Sequence, residues 1–210
     1  MNKEITGNFD TAEKEVYLVE QWLLRQGFKR DEFWCKKYLN QDDADVIVIF
    51  HHDRSKRLLF EVKEEEPERF NKYGEYGIDY ISVCYYKNDI SKEKQLSFRH
   101  NNKPERMNEF LSSINKYKDG KIVYSKSDVW LFAIENGDDY DIRCYNAKRM
   151  EKAEFINYLK ENSPFSVIHG NVDWNTSKNN YYSACFFVKP ELMEVFKMTQ
   201  KDLEPYRKNN

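Results

Sequence analysis

Hydrophobic residues recur at helical spacing near the start of the chain and then form two short, almost unbroken apolar runs. The first pattern predicts a helix over residues 11–27, ended by Gly27, with an apolar stripe at Val16, Val19, Leu23 and Leu24. The run Val46–Phe50 is apolar without alternation, which is typical of a strand buried on both faces. Residues 51–56 are polar, so we expect a hairpin whose return strand covers residues 57–63.

The rest of the chain alternates between the two periodicities. Helical spacing predicts helices over residues 104–118 and 147–161, with short helices from Pro67 and over residues 190–198. Strands are predicted over residues 78–86, 121–124, 129–134, 140–145 and 181–188, and residues 32–39 are expected to form a short strand or an irregular segment. This order predicts an α/β fold, a mixed β-sheet flanked by helices. We expect one domain over residues 1–210, with a core at about 10–160, a strand and helix extension at about 164–200 and a frayed polar tail after Leu203.

The composition narrows the class of protein. Hydrophobic residues make up 40% of the chain and charged residues 33%, as in a soluble globular protein. There is no apolar run of about 18 residues and no pattern of a signal peptide at the start, so we expect a cytoplasmic protein without a membrane partner. The cysteines lie far apart and form no CxxC pair, which argues against a zinc ribbon. The net charge of −2 does not favour nucleic-acid binding, although the distribution of charge matters more than its sum.

One tripeptide suggests chemistry because of its position. The acid-x-Lys pattern occurs at Glu61-Val62-Lys63 and at Asp119-Gly120-Lys121, and the second lies on a glycine turn. The first lies in the return strand of a hairpin whose opening strand begins after Asp45. Side chains alternate along a strand, so Glu61 and Lys63 point the same way while Phe60 and Val62 point into the core. The hairpin partner brings Asp45 alongside them.

These residues predict a metal-dependent hydrolase. The carboxylates of Asp45 and Glu61 form an oxygen-rich site that suits Mg²⁺ or Mn²⁺. Such a metal polarises a scissile phosphate and lowers the pKa of a bound water. Lys63 holds or helps to deprotonate the attacking water, and Glu20 on the inward face of the first helix supplies a further carboxylate. Alternatively, Glu61 and Lys63 form an ordinary ion pair on the solvent side of an edge strand.

The arrangement resembles the PD-(D/E)XK nuclease superfamily. A helix with Glu20, then Asp45, then Glu61-Val62-Lys63 follows its order, and the likeness covers roughly residues 10–160. Tyr73-Gly74-Glu75 and the segment Ser-Lys-Ser-Asp-Val-Trp at 125–130 are similar to later motifs of phage and bacterial members. Ala44 stands where proline often precedes the aspartate. The resemblance implies a restriction-endonuclease-like fold, a DNA substrate and metal-dependent cleavage.

The candidate DNA contacts are cationic residues near this motif. Lys126, together with Asp128, and the pair Arg69 and Lys72 are placed to touch the phosphate backbone; otherwise they are solvated surface residues. The slight acidity and the run Glu64-Glu65-Glu66 favour an alternative, a catalytically inactive nuclease-fold module with a binding or regulatory role in a phage or mobile element. A homodimer is compatible with either function.

Overall fold

A computed structural model describes residues 11–40, 44–150, 152–170 and 181–208. Contacts between Cα atoms divide the chain into two compact units, each assembled from separate stretches. The first unit comprises Met1–Glu64, Lys126–Ala147 and Lys197–Asn210, and the second comprises Glu65–Ser125 and Lys148–Phe196. A single domain with a core at about 10–160 and an extension at about 164–200 stays a prediction.

The predicted mixture of helices and strands is confirmed, but the strands form two sheets. The strands are β1 (Phe33–Lys37), β2 (Val46–Phe50), β3 (Asp53–Glu65), β4 (Tyr76–Tyr86), β5 (Ile114–Asp119), β6 (Val129–Asn136), β7 (Asp139–Asn146), β8 (Phe165–Gly170) and β9 (Tyr181–Val188). The helices are α1 (Thr11–Arg25), α2 (Pro67–Tyr73), α3 (Lys92–Ser97), α4 (Met107–Ser113), α5 (Lys121–Tyr124), α6 (Lys152–Asn162), α7 (Pro190–Met193) and α8 (Gln200–Leu203). Within the described ranges, none of these helices has the length and apolar character needed to cross a membrane.

The first unit contains a five-stranded sheet in the order β1-β2-β3-β6-β7. The pairs β1–β2, β2–β3 and β6–β7 are antiparallel. The predicted hairpin is therefore present, with His51 and His52 in its turn. The return strand of the hairpin, β3, has 13 residues, which is longer than predicted, and it reaches beyond the start of β2. It is the central strand of the sheet.

One face of this sheet packs against α1. The buried helix residues Leu18, Val19, Trp22 and Leu23 cluster with alternate strand residues, including Val46, Val48, Leu58, Phe60 and Val62. The rings of Trp22 and Phe60 meet edge to face, with centroids 5.8 Å apart. Burial of these apolar side chains between helix and sheet stabilises the first unit.

The carboxyl-terminal segment also packs on this core, so the prediction of a frayed tail after Leu203 is wrong for the residues that follow. A 3₁₀ turn covers Glu204–Tyr206, and the Tyr206 ring lies 5.2 Å from that of Phe50. The Arg207 guanidinium lies 4.5 Å from the centre of the Phe28 ring and donates a hydrogen bond to the Gln26 carbonyl. This segment has a polar sequence because its packing uses only the Tyr206 ring and the long amphipathic side chain of Arg207.

The second unit contains a four-stranded antiparallel sheet in the order β5-β4-β9-β8. Its core is aromatic: Phe110 contacts Phe98 and Phe165 at centroid distances of 5.5 and 5.8 Å. The register of β4 shifts several times against both neighbours, which indicates bulges. The predicted strands over 78–86 and 181–188 are confirmed as β4 and β9.

Three predicted elements of this unit are wrong in type or extent. The helix predicted over 104–118 ends at Ser113, and residues 114–119 form β5, which pairs with β4. Residues 121–124 form the short helix α5 instead of a strand. The helix predicted over 147–161 begins as a 3₁₀ turn, and α6 starts at Lys152. For β5, pairing with β4 overrides the helical periodicity that continues through Ile114.

All four cysteines are free thiols, and we expect them to react slowly in the native protein. Burial raises the pKa of Cys84 to about 12 and that of Cys144 well above its usual value. Burial, followed by the charge of Glu20, raises the pKa of Cys35 as well. A raised pKa leaves less thiolate at pH 8, by roughly 10³-fold for a shift of this size. A chromogenic thiol reagent, followed by absorbance, should therefore react orders of magnitude faster with the guanidinium-denatured chain than with the native chain. A thiol that titrates rapidly in native protein would contradict these burial assignments.

Candidate functional site

Asp45 is anchored to β3 on both sides of Glu61. Its backbone N–H donates to the Phe60 carbonyl at 2.8 Å. Its carboxylate oxygen Oδ2 accepts from the backbone N–H of Val62 at 2.9 Å. Asp45 is 8% exposed, so this carboxylate is held in a fixed position at the start of β2. The preceding Ala44 is buried, and residues 41–43 lie outside the described part of the chain.

Glu61 is buried on the face of the sheet that points away from α1. Phe60 and Val62 belong to the α1 core, so strand alternation directs Glu61 and Lys63 to the opposite face. Glu61 is 4% exposed and its Oε1 atom is fully buried, whereas Lys63 is half-buried. A charged side chain at this depth is costly unless it is compensated, so its retention in a central strand requires a reason.

Asp128 occupies the equivalent position on the other side of β3. It directly precedes β6, as Asp45 precedes β2. Its backbone N–H donates to the Leu59 carbonyl, and its Oδ2 accepts from the Leu59 N–H, both at 2.8 Å. The two strands that flank β3 are therefore each preceded by an aspartate whose side chain accepts a backbone hydrogen bond from β3. Asp128, predicted to lie near a phosphate, has a structural role in the sheet.

Glu20 is not brought to these carboxylates. It lies on α1, which packs on the face of the sheet opposite Glu61, and it forms an ion pair with Arg30 at 3.4 Å. The same helix lies beside β1, where the Cys35 thiol donates to the Val16 carbonyl at 3.7 Å. The helix turns its buried stripe to Leu18, Val19, Trp22 and Leu23, which leaves Glu20 at the border of the core. A supporting role for Glu20 at the metal would require a different arrangement of α1.

The three predicted DNA contacts differ in their surroundings. Arg69, in the second unit, donates hydrogen bonds to the carboxylate of Glu65 and to the Glu75 carbonyl, and its guanidinium lies 5.1 Å from the centre of the Phe187 ring. Lys72, on the same helix, is exposed and lies over the Tyr73 ring. Lys126, in the first unit, is exposed. Lys72 and Lys126 therefore reach solvent, whereas Arg69 is held within its own unit.

Glu65 is the residue of this region that the sequence reasoning missed. Its side chain is buried, and its Oε1 accepts from the Gly77 N–H at 2.7 Å while Oε2 pairs with Arg69. The acidic run is thus not uniformly solvated: Glu64 forms an exposed ion pair with Lys14, and Glu65 is internal. The sequence signal for this ion pair is the four-residue spacing of Glu65 and Arg69 across the start of α2.

The donor set suits a hard divalent cation that keeps part of its water shell. Asp45 and Glu61 lie at adjacent points of β2 and β3 and offer only oxygen atoms. Within the described ranges no group of three or more His, Cys, Asp or Glu side chains is placed to hold a metal ion. Mg²⁺ is commonly held by one or two carboxylates, with water and substrate phosphate as its other ligands. The residues present therefore fit Mg²⁺ or Mn²⁺ better than Zn²⁺, which takes three or four protein ligands.

The second acid-x-Lys tripeptide has a structural explanation. A Cβ atom on Gly120 would lie 2.3 Å from the Asp79 carbonyl oxygen, so only glycine fits there. The Gly120 N–H donates to the Tyr80 carbonyl at 2.7 Å. Close backbone approach therefore explains Asp119-Gly120-Lys121, and the chemical interpretation remains with Glu61-Val62-Lys63.

No protein-family model and no curated protein matches this chain.

Proposed function

We propose that the chain is a metal-dependent nuclease with a restriction-endonuclease-like core, acting on DNA phosphodiester bonds. The observation that carries the proposal is the fixed carboxylate of Asp45 beside the buried Glu61, on the strand that continues to Lys63. Asp45 and Glu61 are the residues that would hold Mg²⁺ or Mn²⁺. When bound, the ion supplies Lewis-acid polarisation of the scissile phosphate and a more acidic water.

The residues of the chain have distinct tasks in this proposal. The Val62 amide fixes the Asp45 carboxylate, so that little reorganisation accompanies the reaction. Lys63 is half-buried on the face of Glu61, where its ammonium group can orient the attacking water and offset negative charge on the phosphate. The DNA substrate is taken from the resemblance to PD-(D/E)XK nucleases, since the net charge of −2 does not favour it.

Replacing Lys63 by alanine tests this function. We expect the wild-type protein to nick or linearise supercoiled plasmid in Mg²⁺ or Mn²⁺ and to be inactive in EDTA. Lys63→Ala should lower the rate on the order of 10²- to 10⁴-fold, because it removes a positioned proton-transfer and charge-stabilising group. Gel electrophoresis over a time course measures the rate, and circular dichroism checks that folding is unchanged.

Lys116→Ala is the matched control, since Lys116 is an exposed lysine on strand β5. It should cleave at the wild-type rate. Cleavage by Lys63→Ala at that same rate would remove Lys63 from the mechanism. The absence of any metal-dependent cleavage by wild-type protein across single-stranded, duplex and branched DNA would contradict the proposed activity.

A second candidate function is a nuclease-fold module that binds without cleaving. It is favoured by the structural use of the Asp45 and Asp128 carboxylates, both of which accept backbone hydrogen bonds from β3. Under this alternative, calorimetric titration with Mg²⁺ or Mn²⁺ gives no heat of binding at the site. Binding of a metal by wild-type protein that is lost on changing Glu61 favours the nuclease.

A further inference from the structure

The edge strand β1 carries an exposed aromatic side chain that the proposed nuclease site does not use. Trp34 is 50% exposed, whereas Trp22 and Trp130, the other tryptophans within the described ranges, are 5% and 4% exposed. A single exposed apolar residue is ordinary on a protein surface, so its surroundings decide its significance.

The surroundings of Trp34 hold its indole in place. The His51 ring meets it edge to face at a centroid distance of 4.5 Å, and His51 Nδ1 lies 2.7 Å from the Asp31 carbonyl. The Arg54 guanidinium lies 5.1 Å from the centre of the indole. We call Trp34, His51 and Arg54 the Trp34 platform. Half of the Trp34 side chain remains exposed to solvent, with the Arg54 cation over its ring.

Two further cationic side chains, Lys36 and Arg57, lie near the platform on the same face of the sheet. Trp34 pairs with Ile49, which pairs with Arg57, so Trp34 and Arg57 lie two strands apart, about 10 Å. Lys36 follows two residues along β1, about 7 Å away. Lys36 and Arg57 are exposed and form no ion pair with any residue that the structure describes. Their charge is therefore available to a ligand.

On the opposite edge of the same sheet, basic side chains form ion pairs with carboxylates. There, on β7, Asp139 pairs with Arg25 at 2.5 Å and Asp141 pairs with Arg143 at 2.8 Å. The basic side chains named on that edge are thus paired with carboxylates, in contrast to Lys36 and Arg57. An exposed patch of uncompensated cations beside an aromatic ring is complementary to a polyanion that also carries flat rings.

We propose that the Trp34 platform binds single-stranded nucleic acid. An unpaired base stacks on the Trp34 indole, and backbone phosphates contact Lys36 and Arg57. A base within an intact duplex presents no free face to an indole, so the platform selects single-stranded segments, ends or branches. Arg57 and Glu61 share one face of β3 and are four residues, about 13 Å, apart. Delivery of the strand to Glu61 rests on the proposed nuclease function, whereas binding to the platform does not.

A second copy of the chain fits this edge less well. Two of the five residues of β1 are the exposed lysines Lys36 and Lys37, and lysines on an edge strand oppose pairing with another strand. The cations that repel a second copy attract phosphate, so charge favours the nucleic acid.

The test is equilibrium binding in EDTA, where cleavage cannot interfere. Fluorescein-labelled 12-mers of dT and rU and a 12-base-pair DNA duplex are titrated with full-length protein, and anisotropy is measured at several salt concentrations. Wild-type protein should bind at least one single strand more tightly than the duplex. Trp34→Ala should weaken that binding about 5- to 150-fold, the range for loss of one base-stacking contact. Trp34→Phe should retain most of it.

Arg57→Ala should weaken single-strand binding and lower the salt dependence by about 0.7 in the slope of log K against log salt. Lys116→Ala, on a strand of the second unit, should change neither quantity. Equal binding of single strands by Trp34→Ala and wild type overturns the proposal, as does a preference of wild type for the duplex. Conversion of a dimer to a monomer by Trp34→Ala, seen by light scattering without loss of oligonucleotide binding, also overturns it. Because the binding is measured without metal, its failure is distinct from a failure to cleave.

Discussion

Glu61→Gln should strongly slow metal-dependent cleavage while the protein remains folded. Glutamine keeps the shape of the buried side chain but removes the negative charge that we assign to metal binding. Loss of one preorganised electrostatic contact at a reacting centre costs on the order of 10²- to 10³-fold in rate. Plasmid cleavage in Mg²⁺ or Mn²⁺ measures this loss.

Thermal unfolding provides a measurement that does not depend on activity. A metal present at about 100 times its dissociation constant stabilises the protein by about 2.7 kcal/mol. For a chain of this size that corresponds to a shift in Tm of about 5–10 °C. Wild-type protein should show the shift with Mg²⁺ or Mn²⁺, and Glu61→Gln should not.

Glu64→Gln is the matched control for Glu61→Gln. Glu64 lies three residues further along β3, is exposed and forms its ion pair with Lys14 of α1. The same chemical change there should leave both cleavage and the metal-induced Tm shift intact. Loss of activity in both variants would indicate that the overall charge of β3, and not a metal site at Glu61, controls the reaction. A full metal-induced shift in Glu61→Gln would exclude Glu61 as a ligand.

Arg69→Ala should destabilise the second unit instead of acting on DNA binding alone. The side chain of Glu65 is 7% exposed and that of Arg69 is 24% exposed. Removing Arg69 leaves the buried carboxylate of Glu65 with only part of its compensation. Loss of one partner of a buried pair lowers the free energy of unfolding by about 3–5 kcal/mol. Because Arg69 is partly exposed, we expect a loss at the low end, about 3 kcal/mol. Urea unfolding monitored by circular dichroism gives the free energy of unfolding.

Lys72→Ala separates this structural role from a phosphate contact. Lys72 lies on the same helix but is exposed, so its removal should change stability by no more than about 0.5 kcal/mol. The double variant Glu65→Gln with Arg69→Ala should lose less than the sum of its single changes, because the buried charge is removed together with its partner. If Arg69→Ala is as stable as wild type and binds DNA more weakly, the predicted DNA contact is correct and the structural assignment is wrong.

The sheet of the first unit was predictable because local pattern and tertiary environment agree there. The β-branched run of β2 is too apolar for any position except an interior strand. Strand alternation then separates Phe60 and Val62 from Glu61 and Lys63, as the structure shows. By contrast, β5 begins where a helical stripe continues through Ile114, and only pairing with β4 makes it a strand.

The position of Glu20 illustrates a different limit. Helical spacing placed it beside the apolar stripe of α1, and the structure also has it at the border of the buried face. Spacing within one helix does not specify which side of the sheet that helix covers. The α1 core forms on the Phe60 side, so Glu20 meets Arg30 and Cys35 while Glu61 lies on the other face.

The sequence by itself determined the hairpin of β2 and β3, the central place of Glu61-Val62-Lys63 in it and the nearness of Asp45. These features depend on neighbours a few residues apart and on the two-residue period of a strand. Only the tertiary structure decided that the strands divide into two sheets and that Asp128 mirrors Asp45 across β3. It also decided that Glu65 is internal and that Trp34 stands exposed with the Arg54 guanidinium over its ring. Those facts depend on which distant segments pack together, and pairings between distant segments leave no fixed spacing in the chain.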